Sequence, residues 1–154
     1  MSGLRPILLV EDDPRDVELT LAALEDLKVA NRIVVARDGA EALEHLRREA
    51  GFAGRPPEDP VVILLDLKLP KLDGLEVLRQ VKADPRLRSI PVVMLTSSRE
   101  ERDLVDSYRL GVNAYVVKPV DFQQFGEAVR RLGVFWAIVN EPPPGAGPPG
   151  EAGG

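Results

Sequence analysis

Several acidic side chains that could bind a metal or react with phosphate directly follow short apolar runs of the sequence. Glu11, Asp12 and Asp13 follow the run ILLV, and Asp66 follows the run VVILL. If these runs are neighbouring parallel strands, the carboxylates meet at one edge of a sheet, where like charges repel unless a cation or a proton lies among them. The pattern therefore predicts a divalent-metal site around one special aspartate.

Two further polar residues follow apolar runs in the second half of the chain. Thr96 follows PVVML, and Lys118 follows AYVV. Phosphoryl transfer to a carboxylate needs a nucleophilic oxygen, a cation, and donors for the remaining phosphoryl charge. Asp66 can supply the nucleophile, while Lys118 and Thr96 can donate hydrogen bonds. The bond before Pro119 can take the cis form, which would aim Lys118 inward.

The same site offers hard oxygen ligands of the kind that Mg²⁺ prefers. Glu11, Asp12 and Asp66 are the residues that we expect to hold this ion. Asp13 precedes a proline at a predicted helix start, so capping of that helix is an equally good interpretation for it.

Strand-like and helix-like segments alternate along the chain, as the strand-end site requires. The predicted strands are 7–10, 32–36, 61–65, 91–95 and 114–117, and the predicted helices are about 15–28, 40–49, 74–83, 99–110 and 122–139. Short strands that are apolar on both faces are typical of a buried parallel sheet, and right-handed crossovers place helices on both sides of it. The expected fold is α/β, a doubly wound five-stranded parallel sheet that binds ligands at the carboxyl ends of its strands.

Length and composition predict one domain at 1–139 and a disordered tail at 140–154, where five of fifteen residues are proline and five are glycine. The chain has no apolar run long enough to span a membrane and no signal-peptide pattern. The absence of cysteine fits a cytoplasmic location. A net charge of −5 without a basic patch argues against nucleic-acid binding.

Four motifs together resemble the receiver domain of two-component response regulators over residues 5–139. They are LLVEDD (8–13), LLDLKLPKLDG (64–74), VVMLTS (92–97) and YVVKP (115–119). The resemblance implies a flavodoxin-like (βα)5 fold with strand order 2-1-3-4-5. It also implies that a histidine kinase phosphorylates Asp66 and that the chain slowly removes this phosphoryl group, with no other enzymatic activity.

The resemblance also assigns roles to the residues around Asp66. It implies a Mg²⁺ site made of Glu11, Asp12, Asp66 and the backbone carbonyl of Lys68, and switch residues Thr96, Tyr115 and Lys118. On phosphorylation, Thr96 would move toward the phosphoryl group and Tyr115 would rotate inward. A partner would then read the changed surface.

A narrower resemblance concerns the phytochrome-associated response regulators. It depends on the long loop before the third strand, the runs 82–98 and 111–125, and the aromatic pair Phe135-Trp136. It implies a red-light photoreceptor kinase, a bacteriophytochrome, as the phosphoryl donor, by family analogy alone.

The end of the last predicted helix reads LGVFWAIV and is apolar nearly all round. One face of a sheet cannot bury Phe135, Trp136 and Ile138 together, and exposed apolar area marks a contact site. We expect a homodimer through these residues.

Other interpretations concern the function and a single histidine. A phosphate-independent pseudo-receiver adaptor would have lost part of the set Asp66, Thr96 and Lys118, and an aspartyl phosphohydrolase would need an acid where Lys68 stands. A phosphate sink fits the sequence as well as a messenger that acts by protein contact. His45 is expected to face solvent rather than to carry phosphate.

Overall fold

The computed structural model describes residues 5–47, 59–112 and 114–133. Five strands and five helices alternate along the described residues: β1 (Ile7–Val10), α1 (Pro14–Asp26), β2 (Ile33–Ala36), α2 (Gly39–Arg47), β3 (Val62–Asp66), α3 (Gly74–Ala83), β4 (Val92–Thr96), α4 (Arg99–Ser107), β5 (Tyr115–Val117) and α5 (Phe122–Arg131).

All neighbouring strand pairs are parallel, and the order across the sheet is β2-β1-β3-β4-β5. The predicted doubly wound sheet and its order 2-1-3-4-5 are thus confirmed. The register places Val10 beside Leu65 and Thr96 beside Val117. The residues that follow these pairs therefore leave the sheet at one edge, where the predicted site lies.

Successive residues of a strand point to opposite faces of the sheet, and each face has its own core. Ile7 and Leu9 of β1 pack in a cluster with residues of α1 and α5, including the fully buried Phe125. Leu8 and Val10 pack on the other face with residues of α2, α3 and α4. Burial of both faces explains why the strands are apolar throughout rather than alternating.

Side-chain caps begin the helices that follow β1, β3, β4 and β5. The Asp13 carboxylate accepts hydrogen bonds from the backbone N–H groups of Arg15 (2.8 Å) and Asp16 (3.3 Å), with Pro14 as the first residue of α1. The capping interpretation of Asp13 is therefore confirmed. Asp73, Ser98 and Asp121 cap α3, α4 and α5 in the same way.

The end of α5 differs from the prediction. The helix ends at Arg131 rather than continuing to residue 139, and Leu132 is its C-cap. Gly133 has a φ of 76°, the left-handed conformation with which glycine commonly terminates a helix. The predicted dimer residues Phe135, Trp136 and Ile138 and the predicted tail 140–154 lie outside the described residues.

One prediction of side-chain exposure was wrong. His45 is buried, because α2 packs against α3 as well as against the sheet. Phe122, the first residue of α5, is 50% exposed because it lies at the end of the packed helix. Within the described ranges, none of the helices is long and apolar enough to cross a membrane.

Candidate functional site

The carboxyl ends of four strands place the predicted site residues together. Asp66 and Thr96 are the last residues of β3 and β4, and Glu11 and Lys118 directly follow β1 and β5. Backbone hydrogen bonds continue past the strand ends, from Glu11 N–H to Ala36 O (3.0 Å) and from Lys118 N–H to Thr96 O (2.8 Å). The polar side chains therefore start from backbone that the sheet holds rigidly.

Asp66 is buried at the centre of this edge. Its Oδ2 accepts a hydrogen bond from Lys118 Nζ at 3.2 Å, and its Oδ1 accepts one from the backbone N–H of Lys68 at 3.4 Å. Burial raises the pKa of Asp66 above its ordinary value, although the charge of Lys118 opposes this shift. The result is a desolvated carboxylate with one ammonium already bound to it.

Glu11, Asp12 and Asp66 form the acidic cluster that the sequence predicts. One carboxylate oxygen from each lies within 4.8 Å of the others. Burial and the charge of Asp66 raise the pKa of Glu11 from 4.5 to about 7. A divalent cation fits this donor set, because three carboxylates outnumber the single nearby ammonium of Lys118 and offer the hard oxygen ligands that such an ion prefers. The Glu11, Asp12 and Asp66 side chains therefore suggest a metal site.

Lys118 lies among three carboxylates and is only 16% exposed. Its Nζ is 3.1 Å from Glu11, 3.2 Å from Asp66 and 2.9 Å from Asp16. Burial alone would lower the pKa of Lys118, but the hydrogen bond to Asp16 and the charges of Asp66 and Glu11 outweigh burial and raise it. Lys118 is therefore a fixed positive charge inside the site. The bond from Lys118 to Pro119 is cis.

Thr96 is fully buried, and its Oγ1 has no hydrogen-bond partner among the described residues. An enclosed hydroxyl without a partner is costly for a folded protein to keep. Thr96 ends β4, which lies beside the strand that ends in Asp66. Its hydroxyl could therefore donate a hydrogen bond to an oxygen atom of a group bound at Asp66.

Tyr115 is turned toward α4. Its hydroxyl donates a hydrogen bond to the carboxylate of Asp106, and the Arg102 guanidinium lies 4.7 Å from the centroid of its ring. Both partners belong to α4, so the position of this ring is tied to that helix. Burial and the carboxylate of Asp106 raise the pKa of Tyr115 above the ordinary value for tyrosine.

The loop between β3 and α3 covers the site from one side. It returns close to the sheet, because the backbone N–H of Gly74 donates to Leu67 O at 2.8 Å and a Cβ at Gly74 would overlap the Asp66 carbonyl oxygen. Lys68, 78% exposed, bridges this loop to α4 through an ion pair with Glu101 at 3.2 Å.

A cavity of about 710 Å³ opens beside the site. Acidic residues and leucines line it, among them Asp12, Glu100, Glu101, Leu69 and Leu104. It lies between the loop after β3 and the start of α4, so a ligand has room to approach the site from this direction.

The structure brings together the predicted residues Glu11, Asp12, Asp66 and Lys118, with Thr96 on the adjacent strand end. Sequence reasoning missed Asp16 and Glu101, which bind Lys118 and Lys68. Both lie in the first turns of helices, where an acid is ordinarily attributed to the helix dipole. No spacing in the sequence distinguishes them from other such acids.

Two curated relatives cover most of the chain. The probable methanogenesis regulatory protein FilR2 of Methanothrix harundinacea is 44% identical over 137 residues, which are 89% of this chain and 86% of FilR2. The response regulator Rcp1 of Synechocystis sp. is 39% identical over 130 residues, which are 84% of this chain and 87% of Rcp1.

Solved structures that resemble this chain are also response regulators. The bacteriophytochrome response regulator AtBRR is 66% identical, with a TM-score of 0.86 over 91% of this chain and 100% of its own. The Mn²⁺-bound form of Rcp1 is 37% identical, with a TM-score of 0.69 over 90% of this chain and 99% of its own. The sequence model of the response regulator receiver domain family matches residues 7–130 of this chain. The chain therefore belongs to the response regulator receiver domain family and is similar to the bacteriophytochrome response regulators.

Proposed function

We propose that this protein accepts a phosphoryl group on Asp66 from a histidine kinase, in a Mg²⁺-dependent reaction, and loses it slowly by hydrolysis. The observation that supports this proposal best is the pairing of the buried Asp66 carboxylate with Lys118 at 3.2 Å, beside the acidic oxygens of Glu11 and Asp12. The hydroxyl of Thr96, buried without a partner, gives further support.

In the transfer step, an Asp66 carboxylate oxygen attacks phosphorus. A P–O bond forms as the P–N bond to the kinase histidine breaks, and the imidazole nitrogen keeps the bonding electron pair. Lys118 binds an oxygen of the transferring group with its ammonium, and Thr96 donates its hydroxyl hydrogen to another. The Lys118 ammonium already lies 3.2 Å from Asp66 before the reaction, so it needs little reorganisation when charge develops.

Glu11, Asp12, Asp66 and the backbone carbonyl of Lys68 would hold Mg²⁺. A bound Mg²⁺ supplies positive charge to the phosphoryl oxygens and neutralises the crowded carboxylates. The Mn²⁺-bound form of Rcp1 supports a divalent ion in a related protein, and the oxygen donors here are of the type that suits Mg²⁺.

Phosphorylation would change the surface near α4. Thr96 moves toward the phosphoryl group, which opens space behind β4 for the ring of Tyr115. The ring then leaves Arg102 and Asp106, the two α4 residues that now hold it. A partner protein that distinguishes the two arrangements receives the signal.

We further propose that the kinase is a bacteriophytochrome and that the protein works in the cytoplasm. The 66% identity to AtBRR supports a red-light input. Signal output by protein contact and a phosphate-sink role are both compatible with the site. Transfer of labelled phosphate from a bacteriophytochrome in red light and in darkness tests the input, and equal transfer from unrelated kinases would contradict it.

The homodimer through Phe135, Trp136 and Ile138 stays a prediction, because these residues lie outside the described ranges. Light scattering at tens of micromolar, with and without phosphorylation, tests it. A monomeric mass in both states would rule it out.

The central experiment is phosphate incorporation from a labelled kinase or a small phosphoryl donor. The wild type is expected to take up label only with Mg²⁺, and Asp66→Asn is expected to take up none. Asp103→Asn is the matched control, since this exposed acid on α4 should leave labelling unchanged. Unchanged labelling of Asp66→Asn would refute the proposal, and absence of labelling in the wild type would favour a phosphate-independent adaptor.

A further inference from the structure

Lys118 has a third carboxylate partner that the family motifs do not include. Asp16 Oδ2 lies 2.9 Å from Lys118 Nζ, closer than the carboxylate oxygens of Glu11 (3.1 Å) and Asp66 (3.2 Å). The Asp16 side chain is 26% exposed, so this ion pair is partly shielded from water. The two residues are distant in the sequence and meet because α1 begins at the same edge of the sheet at which β5 ends.

The backbone of Asp16 is held in place independently of Lys118. Its N–H donates to the capping carboxylate of Asp13 at 3.3 Å. The next residue, Val17, is buried and donates its N–H to Asp13 O at 2.9 Å. The backbone of Asp16 is therefore fixed in the first turn of α1, which limits the positions that its carboxylate can take.

A lysine ammonium has three N–H donors, and three carboxylates surround this one. Glu11 and Asp66 are also the buried members of the proposed metal cluster. When Glu11 binds a cation and Asp66 carries a phosphoryl group, both are drawn into other interactions. Asp16 is then the one carboxylate of the three that has no other part in the proposed chemistry.

We propose that Asp16 is the positioning residue that keeps the Lys118 ammonium directed at the phosphoryl group on Asp66. One N–H of Lys118 stays on Asp16, which leaves the other donors for the phosphoryl oxygens. This inference rests on the proposed function and adds a residue of α1 to the site.

The direction in which Asp16→Asn changes phosphoryl binding distinguishes a positioning role from a purely electrostatic one. A carboxylate near an anionic phosphoryl group repels it, so neutralising Asp16 would strengthen phosphoryl binding if charge were its only contribution. If Asp16 positions Lys118, neutralising it weakens binding instead. The two accounts predict opposite changes for the same variant.

The test measures the affinity for beryllofluoride, a stable stand-in for the phosphoryl group, by calorimetry at saturating Mg²⁺. Asp16→Asn is expected to weaken binding by about three- to tenfold, the range for losing a partly shielded charged hydrogen bond. Glu18→Gln, an equal charge change at an exposed position of the same helix, is expected to leave binding unchanged. Thermal unfolding of each variant verifies that it is folded.

A double-mutant cycle with Lys118→Ala shows whether Asp16 acts through Lys118. In the Lys118→Ala background, Asp16→Asn is expected to cause no further loss of affinity. The ¹⁵N chemical shift of Lys118 Nζ in the metal-free protein gives a second measurement. This chemical shift should change in Asp16→Asn and should stay the same in Glu18→Gln.

Unchanged or tighter binding in Asp16→Asn would overturn the inference, as would an equal loss in the Lys118→Ala background or an unmoved Lys118 signal. These outcomes leave the proposed function intact. If instead the wild type itself binds no beryllofluoride with Mg²⁺, the proposed function fails.

Discussion

Replacing Glu11 by glutamine should make the metal-free protein more stable at alkaline pH. Glu11 is fully buried, and burial together with the charge of Asp66 raises its pKa from 4.5 to about 7. The metal-free protein therefore keeps a proton on Glu11 at pH values where the unfolded chain has already released it. Glutamine resembles the protonated form and has no proton to lose.

The sign and the size follow from proton linkage. Between pH 4.5 and about 7, the folded state binds more protons at Glu11 than the unfolded state, so the free energy of unfolding falls as pH rises through this window. The full shift corresponds to about 3 kcal/mol, of which about 2–3 kcal/mol is lost between pH 5 and pH 8. Glu11→Gln escapes this loss, so its stability relative to the wild type should rise by that amount.

Urea unfolding followed by circular dichroism, with a chelator and at several pH values from 5 to 8, measures the difference. Titrating groups that do not contact Glu11 contribute equally to both proteins, so their contributions cancel in the comparison. Glu18→Gln is the matched control and should follow the wild type at every pH. If the stability curves of Glu11→Gln and the wild type run parallel from pH 5 to pH 8, the reasoning about buried charge is wrong.

Mg²⁺ should reverse the order of stability, so that the wild type becomes more stable than Glu11→Gln. At pH 8 the wild type gains stability as the ion binds the folded state, in proportion to the logarithm of its concentration over Kd. Glu11→Gln has lost one oxygen charge of the proposed site and should gain less. An equal gain in both proteins would place the metal away from Glu11.

Two further predictions concern the loop after β3 and the ring of Tyr115. Gly74→Ala should destabilise the fold by about 1–3 kcal/mol in urea unfolding, because its Cβ would overlap backbone at the end of β3. Gly126→Ala, where the nearest atom is a side-chain nitrogen at 3.8 Å, should instead stabilise α5 by about 0.5–1 kcal/mol; equal effects would contradict this explanation. Asp106→Asn should lower the pKa of Tyr115 in an ultraviolet titration, since it removes a carboxylate that opposes tyrosinate; an unchanged titration would show that the contact is weak.

The family resemblance predicted the strand order, and the positions of polar residues after apolar runs predicted most of the site, because parallel strands end at a common edge. The polar residue after each apolar run therefore lies at this common edge. Position after a run was enough to identify Glu11, Asp66 and Lys118. The predicted ends of the strands and helices were less accurate. Asp66 and Thr96 are the last residues of their strands rather than the first residues after them, because ladder pairing continues one residue beyond the apolar run.

Local chemistry of the chain thus determined the fold class, the helix cap at Asp13 and the meeting of the strand-end residues. Only the tertiary structure decided that Asp16 binds Lys118, that Glu101 binds Lys68 and that His45 is buried. These facts depend on the rotation of each helix about its axis as it packs on the sheet or on a neighbouring helix. The apolar spacing within a helix indicates which face turns to the sheet, but the exact rotation is set by contacts between residues far apart in the chain.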